Sequence, residues 1–472
     1  MIPARTFAEK DVAIFGLARS GLSAVRALIA GGARVRAWDD DAARREAAMQ
    51  EGASVTPFAE WPWPRLAALV LSPGVPLTHP APHPVVTAAR EAGVDVIGDV
   101  ELFAREIRAA PDAPGLAPVI AVTGTNGKST TTALIGHILS SCGWRAEIGG
   151  NIGKPALGLA PPADKTIYVL EISSYQIDLA PGLVPDVSVL TNLALDHIAR
   201  HGSMDAYAAV KARLLTQTAK DGLVCIGVDD PHVAAIHTRV AARGGAAPVP
   251  VSVGKVLGRG VFVLDGTLYD AIAQRATEVM KLASAAHLPG LHNWQNAALA
   301  YAACRPFVQD RAAAAAAIAE FPGLPHRLEE VGRVGKVCFV NDSKATNAQA
   351  AARALACFPD IFWIAGGRPK EDGIDSLAPH FAHIRKAYLI GEAASGFAHA
   401  LDGRVTYEVS GTLERAAASA FADAAHSDAR MPVVLLSPAC ASFDQFRDFE
   451  DRGDAFRALV ASRAGEHVRE VS

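Results

Sequence analysis

Short apolar runs alternate with amphipathic stretches along the whole chain. The run KDVAIFG at Lys10–Gly16 predicts a buried strand, followed by a turn and a helix over Ser20–Ala30. Ala33–Asp39 predicts a second strand that ends on Asp39, Asp40 and Asp41. Leu66–Leu71 predicts a third, ending on Ser72-Pro73-Gly74. This strand–helix–strand rhythm implies a parallel sheet covered by helices. The Pro- and Ala-rich stretch Ala109–Pro118 has no periodicity and reads as a linker. Pro118–Thr123 opens a second unit, with strands at Thr166–Glu171 and Val187–Asn192, that runs to about Phe321. Within it the alanines Ala312–Ala317 read as a surface helix of high propensity. The texture changes again at Pro322-Gly323-Leu324-Pro325, after which strands such as Lys336–Asn341 and Ile361–Ala365 alternate with helical stretches. No period of solenoid length occurs. The expectation is three α/β domains, at 1–112, 113–323 and 324–472.

Composition narrows the class. A chain of 472 residues suits about three domains. It is 50% hydrophobic and 20% charged, which indicates a globular chain rather than a disordered one. Lys and Arg total 45 against 49 Asp and Glu, a net charge of −4, so nucleic acid is not an expected partner. No uncharged apolar run reaches about 18–20 residues, and no membrane span is expected. The N-terminus lacks the apolar core of a signal peptide. Cys142, Cys225, Cys304, Cys338, Cys357 and Cys440 lie far apart with no C-x-x-C, which argues against a disulfide framework or a zinc knuckle. A reduced, soluble, cytoplasmic protein acting on small molecules is expected, as a monomer.

The strongest local signal is VIAVTGTNGKSTTT at Val119–Thr132. An apolar strand runs into Gly124, Thr125, Asn126, Gly127, Lys128 and Ser129, and a helix follows to about Ser141. Glycines let successive backbone N–H groups turn inward to phosphate oxygens. The helix N-terminus adds partial positive charge, Lys128 a full mobile one, and Ser129 a hydroxyl for Mg²⁺. Val122 stands where the longer form of the motif has glycine. Strand, loop and helix in this order point to a nucleotide triphosphate, against an incidental glycine turn.

Other positions admit two readings. Thr166–Glu171 delivers Glu171 at the C-terminal end of an apolar strand, where open α/β sheets bind ligands. A Mg²⁺ ligand fits there, and an N-cap or loop ion pair fits equally. Val187–Asn192 leads likewise to Asp196-His197, either a metal-binding imidazole or a surface histidine. Lys211, on a helix predicted over Asp205–Thr218, reads by itself as a solvated lysine. Gly16-Leu17-Ala18-Arg19-Ser20-Gly21 is a degenerate dinucleotide fingerprint, with Asp39 at the end of the next strand. A nucleotide diphosphate site and an ordinary β–α turn both suit it.

Taken together these pieces resemble the Mur ligase family of ATP-dependent amide ligases. The resemblance runs over almost the full chain, through Ser72-Pro73-Gly74, GDVEL at 98–102, GTNGKST at 124–130, GGNIG at 149–153, LEISSYQ at 170–176, Asp196-His197, Lys211, His292-Asn293 with Asn296, GLPHR at 323–327, NDSKATN at 341–347, Gly366-Gly367 with Lys370, and SPACASFDQF at 437–446. NDSKATN and SPACAS point to the branch that adds D-glutamate. The resemblance implies a Rossmann-like N-terminal domain for the uridine diphosphate substrate and a central P-loop ATPase-like parallel-sheet domain. It further implies a Rossmann-like C-terminal domain carrying the amino-acid site. The implied chemistry belongs to peptidoglycan precursor synthesis: phosphorylation of a muramoyl-alanine carboxylate, then attack by the amine of D-glutamate.

The resemblance also implies roles. Lys128, His197 and Lys211 are expected at the reaction centre. Gly124, Thr125, Asn126, Gly127, Lys128, Ser129, Thr130, Asn293, Asn296, Arg327 and Asp342 are expected around ATP. Two Mg²⁺ ions are expected on Ser129, Glu171, His197 and a carbamylated Lys211. Arg19, Ser20, Asp39, Asp40, Ser72, Pro73, Gly74, Asn151 and Ser173 are expected along the UDP-sugar. Lys344, Thr346, Lys370, Ser442 and Phe449 are expected around D-glutamate, whose two carboxylates suit lysines and hydroxyl donors. Without the resemblance, helix capping would explain Asn293 and Asn296 as well. Three rivals remain. Another ligase of the family would lack NDSKATN, a dinucleotide-dependent oxidoreductase leaves the loop at 124–129 unexplained, and a P-loop switch needs no amino-acid site.

Overall fold

The computed structural model describes residues 1–109, 117–246, 248–273, 275–369 and 373–471. The linker expected at Ala109–Pro118 falls largely on 110–116, outside the described residues. Three sheets carry the fold. The first comprises β1 (Asp11–Phe15), β2 (Arg34–Trp38), β3 (Ser54–Val55), β4 (Leu66–Leu71) and β5 (Val96–Ile97), all parallel in the order β3-β2-β1-β4-β5. Residues of β1 alternate between two apolar clusters: Val12 and Ile14 join one, Ala13 and Phe15 the other. Both faces of the strand are therefore buried, which is why it reads as a continuous apolar run.

The second sheet contains β6 (Val119–Thr123), β7 (Arg145–Gly150), β8 (Thr166–Glu171), β9 (Val187–Leu190), β10 (Leu223–Gly227), β11 (Pro248–Val253), β12 (Val261–Leu264), β13 (Thr267–Asp270) and β14 (Thr277–Lys281). Its order is β14-β13-β12-β11-β10-β9-β6-β8-β7. The strands from β7 to β12 are parallel, as the α/β rhythm predicts, but β13 and β14 add an antiparallel extension. The cause is local. Asp265 and Gly266 both take positive φ, 49° and 73°, and form the two-residue turn that joins β12 to β13. The alanine-rich stretch lies in the helix Arg311–Ala319, which buries Ala314 and Ala317 and exposes Ala312 and Ala316. It is thus half core.

The third sheet contains β15 (Glu329–Val334), β16 (Val337–Asn341), β17 (Ile361–Gly366), β18 (Ile384–Ile390), β19 (Tyr407–Gly411) and β20 (Val433–Leu436), ordered β15-β16-β20-β17-β18-β19. Only β15 runs antiparallel to its neighbour. Strand β17 places Ile361, Trp363 and Ala365 in one apolar cluster and Phe362 and Ile364 in the other, so helices cover both faces. The chain gathers into two compact units, Met1–Leu282 with Trp294–Glu320, and Ala283–Asn293 with Phe321 onward. The first unit holds the first two sheets, which share a continuous apolar core. Among the described residues no helix is long and apolar enough to cross a membrane.

Candidate active site

In the first unit, β6 lies between β8 and β9, so the chain leaves its C-terminal end where the strand order reverses. The loop there is closed by glycines. Gly124 has φ 145°, and a Cβ on it would stand 1.9 Å from Thr191 Oγ1. Gly127 has φ 81° and is the N-cap of the helix Lys128–Ser141, with Asn296 Oδ1 where its Cβ would be. Val122 is buried inside β6, paired with Glu171 and Val189, so the turn begins at Gly124. Asn192 clamps the loop: its Oδ1 accepts from the Asn126 amide (3.0 Å) and its Nδ2 donates to Asn126 O (2.9 Å). Lys128 folds back, its Nζ donating to Gly124 O (3.0 Å) and Thr125 O (2.8 Å). Ser129 and Thr130 occupy the first turn and are buried. Thr131 Oγ1 donates to Asn296 Oδ1 (3.3 Å), so Asn296 lines the loop from the helix Leu291–Cys304.

Glu171 ends β8 and is 2% exposed. Its Oε1 accepts from Asn151 Nδ2 at 2.7 Å, and its Oε2 has no hydrogen-bond partner. Neither alternative for Glu171 holds, since Ser173 is the N-cap of the helix that follows and no cation pairs with the acid among the described residues. Ser173 and Gln176 form a reciprocal capping box. Lys211 is 1% exposed, which overturns its reading as a solvated lysine. Its Nζ donates to Thr123 Oγ1 (3.1 Å) and Gly124 O (2.9 Å) and lies 4.8 Å from the centre of the Tyr207 ring. Burial holds its pKa well below the usual lysine value. Lys128 pushes the same way, while Asp196 and Glu171 oppose.

His197 has positive φ, 55°, and starts a short helix at Ile198–His201. Its side chain is half-exposed, with Nδ1 3.2 Å from Tyr175 Oη and Nε2 3.5 Å from Asp196 Oδ2. Tyr207 joins these parts, since its ring packs against His197 and lies under Lys211 while its hydroxyl meets Thr125 Oγ1 at 3.1 Å. Sequence reasoning missed Tyr207 and Asn192. The signal for both was position alone, one turn before Lys211 and at the end of an apolar strand.

Of the other edge residues of the first unit, Ser72 is brought to the turn that follows β1. Arg19 and Ser20 start the helix Arg19–Ala30, and Ser72 follows β4. A Cβ on Gly16 would stand 2.4 Å from Ser72 Cβ, so only glycine lets the β1 and β4 ends meet. Asp39 is buried and braces the turn, accepting from the Leu17 amide (2.6 Å) and the Asp41 amide (2.9 Å). Asp40 and Gly74 are exposed, Pro73 is half-buried, and Asn151 is exposed at the end of β7.

In the second unit, Asn293 donates from Nδ2 to Pro289 O at 2.8 Å. Asp342 is buried, and that burial pushes its pKa up to about 7 against the Ser437 hydroxyl, the Leu328 amide and Arg327. Lys344 Nζ lies 3.5 Å from the centre of the Phe449 ring. Thr346 is half-buried beside Lys344, and Ser442 is 2% exposed. Lys370 lies outside the described residues. Among those described, no three His, Cys, Asp or Glu side chains form a ready metal cluster.

The Mur ligase middle-domain model matches residues 122–304. A UDP-N-acetylmuramoylalanine–D-glutamate ligase from Phenylobacterium zucineum is 54% identical over 464 residues, covering 98% of each chain. A protein of the same name from Rhizobium etli is 52% identical over 466 residues, covering 98% of this chain and 97% of its own. The structure also matches a UDP-N-acetylmuramate–alanine ligase from Thermotoga maritima, with a TM-score of 0.60 at 16% identity over 96% of this chain and 100% of the other. That likeness shows the α/β fold. At the identity and coverage of its relatives, this chain belongs to the UDP-N-acetylmuramoylalanine–D-glutamate ligase family of Mur ligases.

Proposed function

We propose that the protein joins D-glutamate to UDP-N-acetylmuramoyl-L-alanine at the expense of ATP, in peptidoglycan precursor synthesis. One observation carries the chemistry: Lys128, Glu171 and Lys211 converge at the C-terminal ends of neighbouring parallel strands, with Glu171 Oε2 buried and unpartnered. The acceptor is supported by the names of relatives 54% identical over almost the whole chain.

A carboxylate resists a nucleophile because it is anionic and has no leaving group. Transfer of the ATP γ-phosphoryl group to the muramoyl-alanine carboxylate removes both obstacles and releases ADP. The amine of D-glutamate then attacks the acyl carbon, and the tetrahedral intermediate collapses to amide and phosphate. Lys128 leaves Gly124 O and Thr125 O to hold the transferring phosphoryl group, and the first turn of its helix supplies backbone donors. Thr130, Asn296, Asn293, Arg327 and Asp342 hold the rest of ATP.

A buried carboxylate oxygen without a donor suits a hard cation, and Ser129 and Glu171 would hold one Mg²⁺. His197 and a carbamylated Lys211 would hold a second. Held there, magnesium would supply positive charge against the negative charge of the phosphates. Burial favours the neutral Lys211 amine, the form that adds to CO₂: an N–C bond forms, an N–H bond gives its proton to water, and the amine becomes a carbamate with anionic oxygens. Arg19, Ser20, Asp39, Asp40, Ser72, Pro73, Gly74, Asn151 and Ser173 line the UDP-sugar path. Lys344, Thr346, Lys370, Ser442 and Phe449 receive D-glutamate. The divisions 1–112, 113–323 and 324–472 correspond to these three tasks.

The reading is tested by phosphate release from the purified protein. Release is expected only with ATP, UDP-N-acetylmuramoyl-L-alanine and D-glutamate together. Equal release with L-glutamate would overturn it.

A further inference from the structure

Arg452 is among the largest fully buried side chains, at 1% exposure. It lies in the first turn of the helix Phe449–Val471. All its hydrogen-bond acceptors are neutral. Nε donates to Ser343 Oγ (2.9 Å), and Nη2 donates to Ser343 O (2.8 Å) and Cys440 O (3.2 Å). Nη1 reaches Ala441 O at 3.5 Å. Ser343 Oγ in turn donates to Phe449 O at 2.8 Å. The end of β17 is drawn in as well, because the Arg368 amide donates to Ala441 O at 2.9 Å. A Cβ on Gly367 would meet Ala441 O at 2.3 Å and Arg452 Nη1 at 3.2 Å, so glycine is needed beside the guanidinium.

The segments joined here share one property. Ser343 precedes Lys344, Ala441 precedes Ser442, and Phe449 begins the helix. We infer that Arg452 is a positioning residue for the amino-acid subsite, its planar fork fixing the backbones that present Lys344, Ser442 and Phe449. This rests on the assignment of those three residues to D-glutamate. A purely structural tie would not need a cation, since apolar packing holds loops together without desolvating a charge. The flat, five-donor guanidinium is instead the side chain able to grip carbonyls from two segments at once, at Ser343 and at Cys440–Ala441. Burial draws its pKa down to about 10, which leaves it charged at neutral pH.

The test uses Arg452→Lys, which keeps the charge and loses the fork, and Ser343→Ala, which removes one acceptor and leaves the cation. Both are measured for the KM of each substrate. They are also measured for ATP positional isotope exchange with UDP-N-acetylmuramoyl-L-alanine alone, a partial reaction that needs no D-glutamate. Arg452→Lys is expected to raise the D-glutamate KM about tenfold or more, with the other two KM values and the exchange rate nearly unchanged. Ser343→Ala shifts the same constant by less, and it carries the test should Arg452→Lys fail to fold. An unchanged D-glutamate KM, or an equal rise in all three KM values, overturns the proposal. Lys344→Ala serves as control. If it too leaves the D-glutamate KM unchanged, the subsite assignment falls and the proposal with it. If it raises that KM while both tie variants do not, the proposal alone falls.

Discussion

Asn151 holds Glu171 by two bonds. Its side-chain amide donates to Glu171 Oε1 at 2.7 Å, and its backbone amide donates to the Glu171 carbonyl at 2.8 Å. The first bond fixes the carboxylate so that only Oε2 is left unpartnered. Asn151 was expected along the UDP-sugar, yet the geometry also makes it the orienting partner of the proposed magnesium ligand. Asn151→Ala is therefore expected to raise the Mg²⁺ concentration for half-maximal activity by about tenfold, in line with other lost orienting contacts. Titrating Mg²⁺ at saturating substrates measures this. An unchanged Mg²⁺ requirement with a raised UDP-substrate KM would assign Asn151 to the sugar alone.

Lys211 is too deeply buried to act as a solvated cation, and its surroundings favour the neutral amine. Lys211→Ala should lose most activity and recover part of it with formate or acetate, small carboxylates that can fill the space of a carbamate. Unchanged turnover in the variant would remove Lys211 from the site.

The loop at 124–129, proposed to hold phosphate, has little steric slack. A Cβ on Gly127 would fall 2.3 Å from Asn296 Oδ1 at a φ of 81°. Gly127→Ala should weaken ATP binding and cost about 1–3 kcal/mol of stability from backbone strain. Thermal unfolding with and without ATP would show a lower melting point and a smaller nucleotide-dependent rise. A variant that melts and binds like the parent would contradict the tightness of this turn.

Asp99 begins the helix Asp99–Ala109, and its carboxylate oxygens have no hydrogen-bond partner of good geometry. Burial pushes its pKa up to about 6, against partial help from the Val100 and Asp99 amides. Between about pH 4 and 6 the folded state thus binds the proton that an unfolded Asp has already released. Stability from this group falls as pH rises through that window and stays low above it. Asp99→Asn removes the penalty. The variant should match the parent below pH 4 and gain roughly 2–3 kcal/mol above about pH 6. Urea unfolding at both extremes measures this, and a gain that does not grow with pH would contradict it.

Much of the fold was visible in the chain because parallel strands buried on both faces leave continuous apolar runs. Leu66–Leu71 and Thr166–Glu171 form strands with the bounds their pattern predicts. The antiparallel extension was harder to read because β14, at Thr277–Lys281, is largely exposed and carries no apolar run. Its hairpin signal was present at Asp265-Gly266. In the candidate site, the turn at 124–129 was legible from its glycines, two of which take the positive φ it requires. Lys211 was not, since the sequence DAYAAVKARLL gives no sign that this helix face is covered. Its expected role came from the family resemblance, and the structure supplies the burial. Arg452 was hidden for a similar reason: FEDRGDAFR reads as a charged surface helix until its neighbours are placed in space.

If ATP converts the muramoyl-alanine carboxylate into a displaceable acyl phosphate, one carboxylate oxygen must leave with the phosphate. The most direct measurement uses UDP-N-acetylmuramoyl-L-alanine labelled with oxygen-18 in that carboxylate, with ATP and D-glutamate, and mass analysis of the released phosphate. Each released phosphate should carry one labelled oxygen, with the other retained in the amide. Amide formed with unlabelled phosphate would contradict it.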